Sequence, residues 1–152
     1  MKLSSFTDPK YIDLGARVGD KTAVIAAMVK LLGRSRQVGD ADAFLRDVLG
    51  REELVTTGVG YGVAFPHAKS EAVSSVVFAF ARTAGGIDFG ALDGKPVRLI
   101  FLIGAPKASE PSRVYLNLMA RLSFLMKDAG NRERLLSADS VGEVLSLLDS
   151  VK

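Results

Sequence analysis

Apolar residues recur every three or four positions in two stretches of the first third of the chain. Val24, Ile25, Met28, Val29, Leu31 and Leu32 keep this spacing between Asp20 and Gly33, and Phe44, Leu45, Val48 and Leu49 keep it from Asp40 to the charged trio Arg51-Glu52-Glu53. Each stretch predicts an amphipathic helix opened by a capping aspartate, the first closed by its glycine. The period then changes. Val63-Ala64-Phe65 is short and apolar, Ser74 to Arg82 is rich in Val and Phe, and Val97 to Ile103 is almost unbroken. A run without a polar face predicts a central strand covered by helices on both sides. A short extended piece precedes all of this around Tyr11 to Leu14, and Gly85-Gly86 and Asp93-Gly94-Lys95-Pro96 read as turns between the last two strands. From about Pro111 the helical period returns, with Tyr115, Met119, Leu122 and Met126 along one face beside Val114, Leu118 and Leu125. Ser140-Val141-Gly142-Glu143 is a capping-box pattern that opens a last helix through Val144, Leu145, Leu147 and Leu148. Helices, then strands, then helices predict an α/β sandwich.

Composition narrows the chemistry. With 152 residues, 48% of them apolar, the chain can bury a core of its own as one domain, 1–152, and no repeat or linker divides it. There is no cysteine and one histidine, His67. Disulfides, thiolate metal sites and cysteine nucleophiles are thereby excluded, and any imidazole chemistry is confined to that position. The formal charge is +3, from 20 basic and 17 acidic residues, but the signs alternate along the chain, which argues against nucleic-acid binding. No apolar run is long enough for a membrane span or a signal sequence, so a cytoplasmic location is expected.

The most informative segment is Gly58-Val59-Gly60-Tyr61-Gly62-Val63-Ala64-Phe65-Pro66-His67-Ala68-Lys69. Its glycines allow unusual backbone geometry and close approach to a ligand, as phosphate-binding loops require, so Gly58 and Gly60 are candidate phosphate contacts. Neither the dinucleotide fingerprint nor the Walker loop fits: Val63 stands where the first needs glycine, and no Gly-Lys-Ser/Thr follows for the second. Pro66 fixes its own φ and holds Phe65 extended, so His67 is presented by stiff backbone. A neutral imidazole is nucleophilic at one nitrogen when an acceptor holds the other N–H. The bland reading of His67 is a half-buried loop histidine; that of Arg51 is a surface charge paired with Glu52 or Glu53.

Arg51-Glu52, Thr57 to Gly60 and Val63 to Lys69, followed by Gly86 to Phe89, Leu92 to Val97, Leu116 to Asp128 and Ser140 to Leu148, resemble one family along essentially the whole chain. The sequence is similar to EIIA domains of the fructose/mannitol type from the phosphoenolpyruvate-dependent phosphotransferase system, most of all to the nitrogen-regulatory branch, the PtsN proteins. The resemblance implies a single-domain α/β sandwich whose central mixed β-sheet is flanked by helices on both faces. It also implies a phosphohistidine carrier without metal or other cofactor. His67 would accept phosphate from HPr or its nitrogen-branch homologue, and Arg51 would stabilise the phosphoryl oxygens. Many members carry a second histidine where this chain has Tyr115. A phenol can donate a hydrogen bond there but is no cation at neutral pH, and Ser112 or Arg113 could supply the missing donor or charge. Phe65 replaces the smaller aliphatic residue common in the family. Three roles follow: a regulatory EIIA whose phosphorylation state controls partner proteins, an EIIA subunit passing phosphate to EIIB of a sugar permease, or a non-phosphorylated protein-binding module on the same fold.

Overall fold

The computed structural model describes residues 2–107 and 113–150. Two 3-10 turns, Leu3–Phe6 and Pro9–Tyr11, lead into β1 (Ile12–Ala16). Helices α1 (Lys21–Leu32) and α2 (Ala41–Leu54) follow, then strands β2 (Gly58–Gly60), β3 (Val63–Ala64), β4 (His67–Ser70), β5 (Val77–Ile87) and β6 (Val97–Pro106). The described chain closes with α3 (Arg113–Lys127), α4 (Ala129–Ser137) and α5 (Val141–Asp149). The expected caps are present. Asp20, Asp40 and Ser140 accept from the backbone N–H groups of Ala23, Ala43 and Glu143, giving each helix one of its otherwise unmatched first-turn donors a partner.

The sheet is mixed, in the order β1-β5-β6-β3-β2, with β4 also pairing β6. β5 runs antiparallel to β6, while β1 lies parallel to β5 and both β3 and β4 lie parallel to β6. Helices α1 and α2 cover one face, and α3, α4 and α5 cover the other. Val24, Met28 and Phe44 pack with Ala79, Ile100 and Leu102 on the first side, and Leu118, Leu122, Leu147 and Leu148 with Phe78, Phe80 and Phe101 on the second. Leu99 to Ile103 are buried without exception, as a strand between two helical layers must be.

Three expectations change. Gly85-Gly86 is not a turn: β5 continues through it to Ile87, which pairs with Val97 after a register irregularity, and Gly86 takes φ 75° beside Pro96. Such an irregularity accommodates extra residues on one strand without ending it. The segment after Lys127 forms a separate helix, α4, capped by Asp128, with Leu135 as its buried residue. Val114 points outward at 42% exposure, so the buried stripe of α3 is carried by Tyr115, Leu118, Leu122, Leu125 and Met126.

Two local features bring α2 to the edge where β4 lies. β3 and β4 keep one register against β6, Val63 facing Leu99 and His67 facing Ile103, so they are one strand interrupted at Phe65-Pro66, with β2 beside its first part and its second part at the sheet edge. Gly104, opposite Ala68, leaves room for Phe44 of α2: an added Cβ would lie 2.9 Å from the Phe44 ring.

Candidate functional site

His67 is the first residue of β4 and is half-buried. Its Nδ1 lies 2.8 Å from the carbonyl oxygen of Phe65. A carbonyl can only accept, so Nδ1 carries the proton and, in the neutral ring, Nε2 carries the lone pair. Burial lowers the imidazole pKa below its ordinary 6.5; the Phe65 bond opposes this, Arg51 adds to it and Glu52 opposes it. The ring is therefore mainly neutral at pH 7, with Nε2 as the nucleophile.

An open depression of about 390 Å³ surrounds it, formed by Asp47, Gly50, Arg51 and Leu54 of α2, His67, Ala68 and Lys69 of β4, and Tyr115 of α3. The Tyr115 ring is buried, with its centroid 6.0 Å from that of His67 and tilted by 50°. Burial pushes its phenol up to about 12 against the opposing charge of Arg51, so Tyr115 is neutral at physiological pH. It is both a core aromatic and a wall of the depression. Arg51 sits in the last turn of α2, where its Nη1 donates to the Val55 carbonyl at 3.0 Å. This is a C-terminal cap that fixes the base of the guanidinium group and leaves its other N–H groups to the depression.

Arg51 does not pair with Glu52. The Glu52 carboxylate is buried at 6% exposure and accepts from Lys21 Nζ at 2.9 Å, the Thr57 backbone N–H at 2.8 Å and Thr57 Oγ1 at 2.5 Å. Lys21 also donates to the Phe89 carbonyl at 3.1 Å. The end of α2 is thereby tied to α1, to the start of β2 and to the loop after β5, which holds Arg51 toward His67. In the sequence Glu52 looked like one member of a solvated charge run; its partner is a helix away, and only the adjacent Thr56-Thr57 hinted at a buried acceptor. Lys69 was likewise not singled out, although it follows His67 by two residues on the same strand.

Gly58 and Gly60 do not line the depression. They form a hairpin with β3 whose turn places Gly60, Tyr61 and Gly62 at φ 101°, 60° and 77°. The Tyr61 N–H donates to Asp93 Oδ2 at 3.0 Å, holding that turn. Gly58 faces the loop after β5: a Cβ there would come within 2.9 Å of Ala91 Cβ. The close approach that the glycines permit is thus to protein. Phe65 points inward and stacks on Phe101 with centroids 5.6 Å apart, so the aromatic replacement enlarges the core rather than the surface. Ser112 lies outside the described residues. A wider depression of about 580 Å³ between α4 and α5 contains no histidine, and its Ser140 hydroxyl is engaged in capping α5. Among the described residues no cluster of His, Asp and Glu could hold a metal, and no helix is long and apolar enough to cross a membrane.

The family model described as the phosphoenolpyruvate-dependent sugar phosphotransferase system, EIIA 2, matches residues 5–151. This chain belongs to that EIIA family. A fructose-specific EIIA component from Haloferax volcanii is 39% identical over 149 residues, 98% of this chain and 96% of the relative. The EIIA fold is shared with the nitrogen regulatory protein IIA-Ntr of Neisseria meningitidis at TM-score 0.88 and 30% identity, covering 96% of this chain and 98% of that one. It is shared too with the mannitol IIA of Escherichia coli, solved in complex with phosphorylated mannitol IIB, at TM-score 0.81 and 25% identity over 94% of this chain and 96% of that one. The EIIA assignment and the mixed sheet between two helical layers are therefore as the sequence suggested, and relatives of both the nitrogen-regulatory and the sugar-specific kind are present.

Proposed function

We propose that this EIIA protein carries a phosphoryl group on Nε2 of His67, accepted from a phosphohistidine on HPr or its nitrogen-branch homologue, and controls partner proteins through that charge. The observation that carries this is the bond between His67 Nδ1 and Phe65, which leaves Nε2 as the nucleophile at the floor of an open depression. In the transfer the Nε2 lone pair forms the new P–N bond while the donor's P–N bond breaks and its electron pair returns to the donor imidazole. The His67 Nδ1 proton stays on the ring, hydrogen-bonded to the Phe65 carbonyl, whose dipole stabilises part of the positive charge the ring gains. Such a transfer needs alignment and stabilisation of the equatorial oxygens rather than further covalent chemistry. Arg51 is placed to bind those oxygens.

The phosphoryl group adds up to about two negative charges to an exposed edge of the sheet beside Leu54, enough to create or abolish docking of a partner in the cytoplasm. Tyr115 supports the regulatory reading, because it supplies no cation for onward transfer. The second reading, an EIIA subunit that passes phosphate to EIIB, is favoured by the fructose-specific relative and by the relative solved with phosphorylated IIB. Incubation with phosphoenolpyruvate, enzyme I and an HPr-type donor should add one phosphoryl group to the wild type and none to His67→Ala, by intact mass. Labelling of both, or of neither, overturns the proposal. Addition of EIIB then separates the roles, since only the permease subunit loses its phosphate rapidly.

A further inference from the structure

We propose that Lys69 is a second phosphate-binding cation, reaching from β4 the phosphoryl group that Arg51 reaches from α2; this rests on His67 being the acceptor. Residues two apart on a strand point the same way, and here Ala68 and Ser70 are buried on one side while His67 and Lys69 look out on the other. Their side chains leave the backbone only about 6.6 Å apart, within the span of a lysine stem and a phosphorylated imidazole. The exposed Lys69 side chain brings its ammonium toward α3. The ammonium lies 5.7 Å over the Tyr115 ring, the same ring whose centroid is 6.0 Å from that of His67. A cation held against a ring face keeps N–H donors directed away from it, and phosphate accepts from such donors.

Charge balance calls for this cation. A phosphoryl group near −2 would meet Arg51 from α2, but the same helix also presents Asp47 to the depression, and the charge of Glu52 is matched by Lys21. Tyr115 contributes no charge from α3. Without Lys69, among the described residues that line the depression, one guanidinium would face the dianion with a carboxylate nearby. With it, cations from the helix and from the strand flank the group on Nε2.

The test uses the whole chain phosphorylated with phosphoramidate, a small donor that needs no docking surface; His67 is the only histidine. A ³¹P titration then follows the second ionisation of the phosphoryl group in wild type, Lys69→Met and Lys69→Arg. A bound ammonium favours the dianion, so the midpoint should rise by about one pH unit in Lys69→Met and stay near wild type in Lys69→Arg. An unchanged midpoint in Lys69→Met, or an equal rise in both variants, overturns the role of Lys69. If phosphoramidate labels His67 but the enzyme I relay does not, the carrier reading fails and the titration still judges Lys69. If neither labels His67, both fall.

Discussion

The Nδ1 of His67 lies 2.8 Å from the carbonyl oxygen of Phe65, two residues earlier in the chain and across the stiff Pro66. The contact is local, so it forms whenever the edge strand forms, and it sets the tautomer. A ¹⁵N spectrum of the single imidazole should show Nδ1 protonated and Nε2 unprotonated in the neutral ring, titrating below 6.5. The stability consequence has a definite sign. A folded-state pKa below the unfolded one means that the unfolded chain binds the proton first. The contribution of His67 is complete above the unfolded value of 6.5 and is lost as pH falls through the lower folded value. Urea midpoints of wild type minus those of His67→Ala should decline across that window and be flat above it.

Arg51→Ala should separate binding of phosphate from folding. The side chain is half-buried and makes one bond at the helix end, so the loss of stability should stay within about 1 kcal/mol. The rate of phosphoryl acceptance should fall by about tenfold to several hundredfold, as removal of a donor to developing charge does elsewhere. Arg51→Lys should recover only part of it, since an ammonium lacks the planar fork. Quenched-flow labelling from a phosphorylated donor gives the rates.

Glu52 should behave in the opposite way, as a stability residue first. Glu52→Ala strands the buried Thr57 N–H and hydroxyl and deprives Lys21 of its carboxylate. Because Lys21 is 28% exposed and can turn to water, the expected cost is about 2 to 3 kcal/mol, below that of a fully buried pair. Chemical unfolding measures it, and a change under about half a kcal/mol would show that the end of α2 is held by something else.

Gly58→Ala tests whether the glycine-rich segment is a hairpin packed on protein or a phosphate cradle. An alanine Cβ would crowd Ala91 and Phe89, costing about 1 to 3 kcal/mol, while the folded fraction should accept phosphate at the wild-type rate. A large loss of rate with little loss of stability would return Gly58 to the site.

What could be read from the sequence was local. Asp20, Asp40 and Ser140 announce helices because a cap joins residues three apart, and Leu99 to Ile103 announce a central strand because no polar residue interrupts them. What could not be read depends on partners distant in the chain. Pro66 looked like the end of a strand, yet β6 holds the same register on both sides of it. Gly85-Gly86 looked like a turn, yet Ile87 still has Val97 to pair with. α4 shows no apolar stripe because Leu135 is its one buried residue. At the candidate site, His67 and Arg51 could be named from residue type and motif, and the fold brings both to one depression. The burial of Glu52 was not, because Lys21 lies a full helix away, and the place of Lys69 was not, because it is set by Tyr115 of α3.

Phosphorylation of His67 at Nε2 is tested most directly by a long-range ¹H–¹⁵N correlation on ¹⁵N-labelled protein phosphorylated by phosphoenolpyruvate, enzyme I and an HPr-type donor. One phosphohistidine should appear, with phosphorus on Nε2 and the Nδ1 proton still bonded to Phe65. Phosphate on Nδ1, on another side chain, or nowhere would contradict the account.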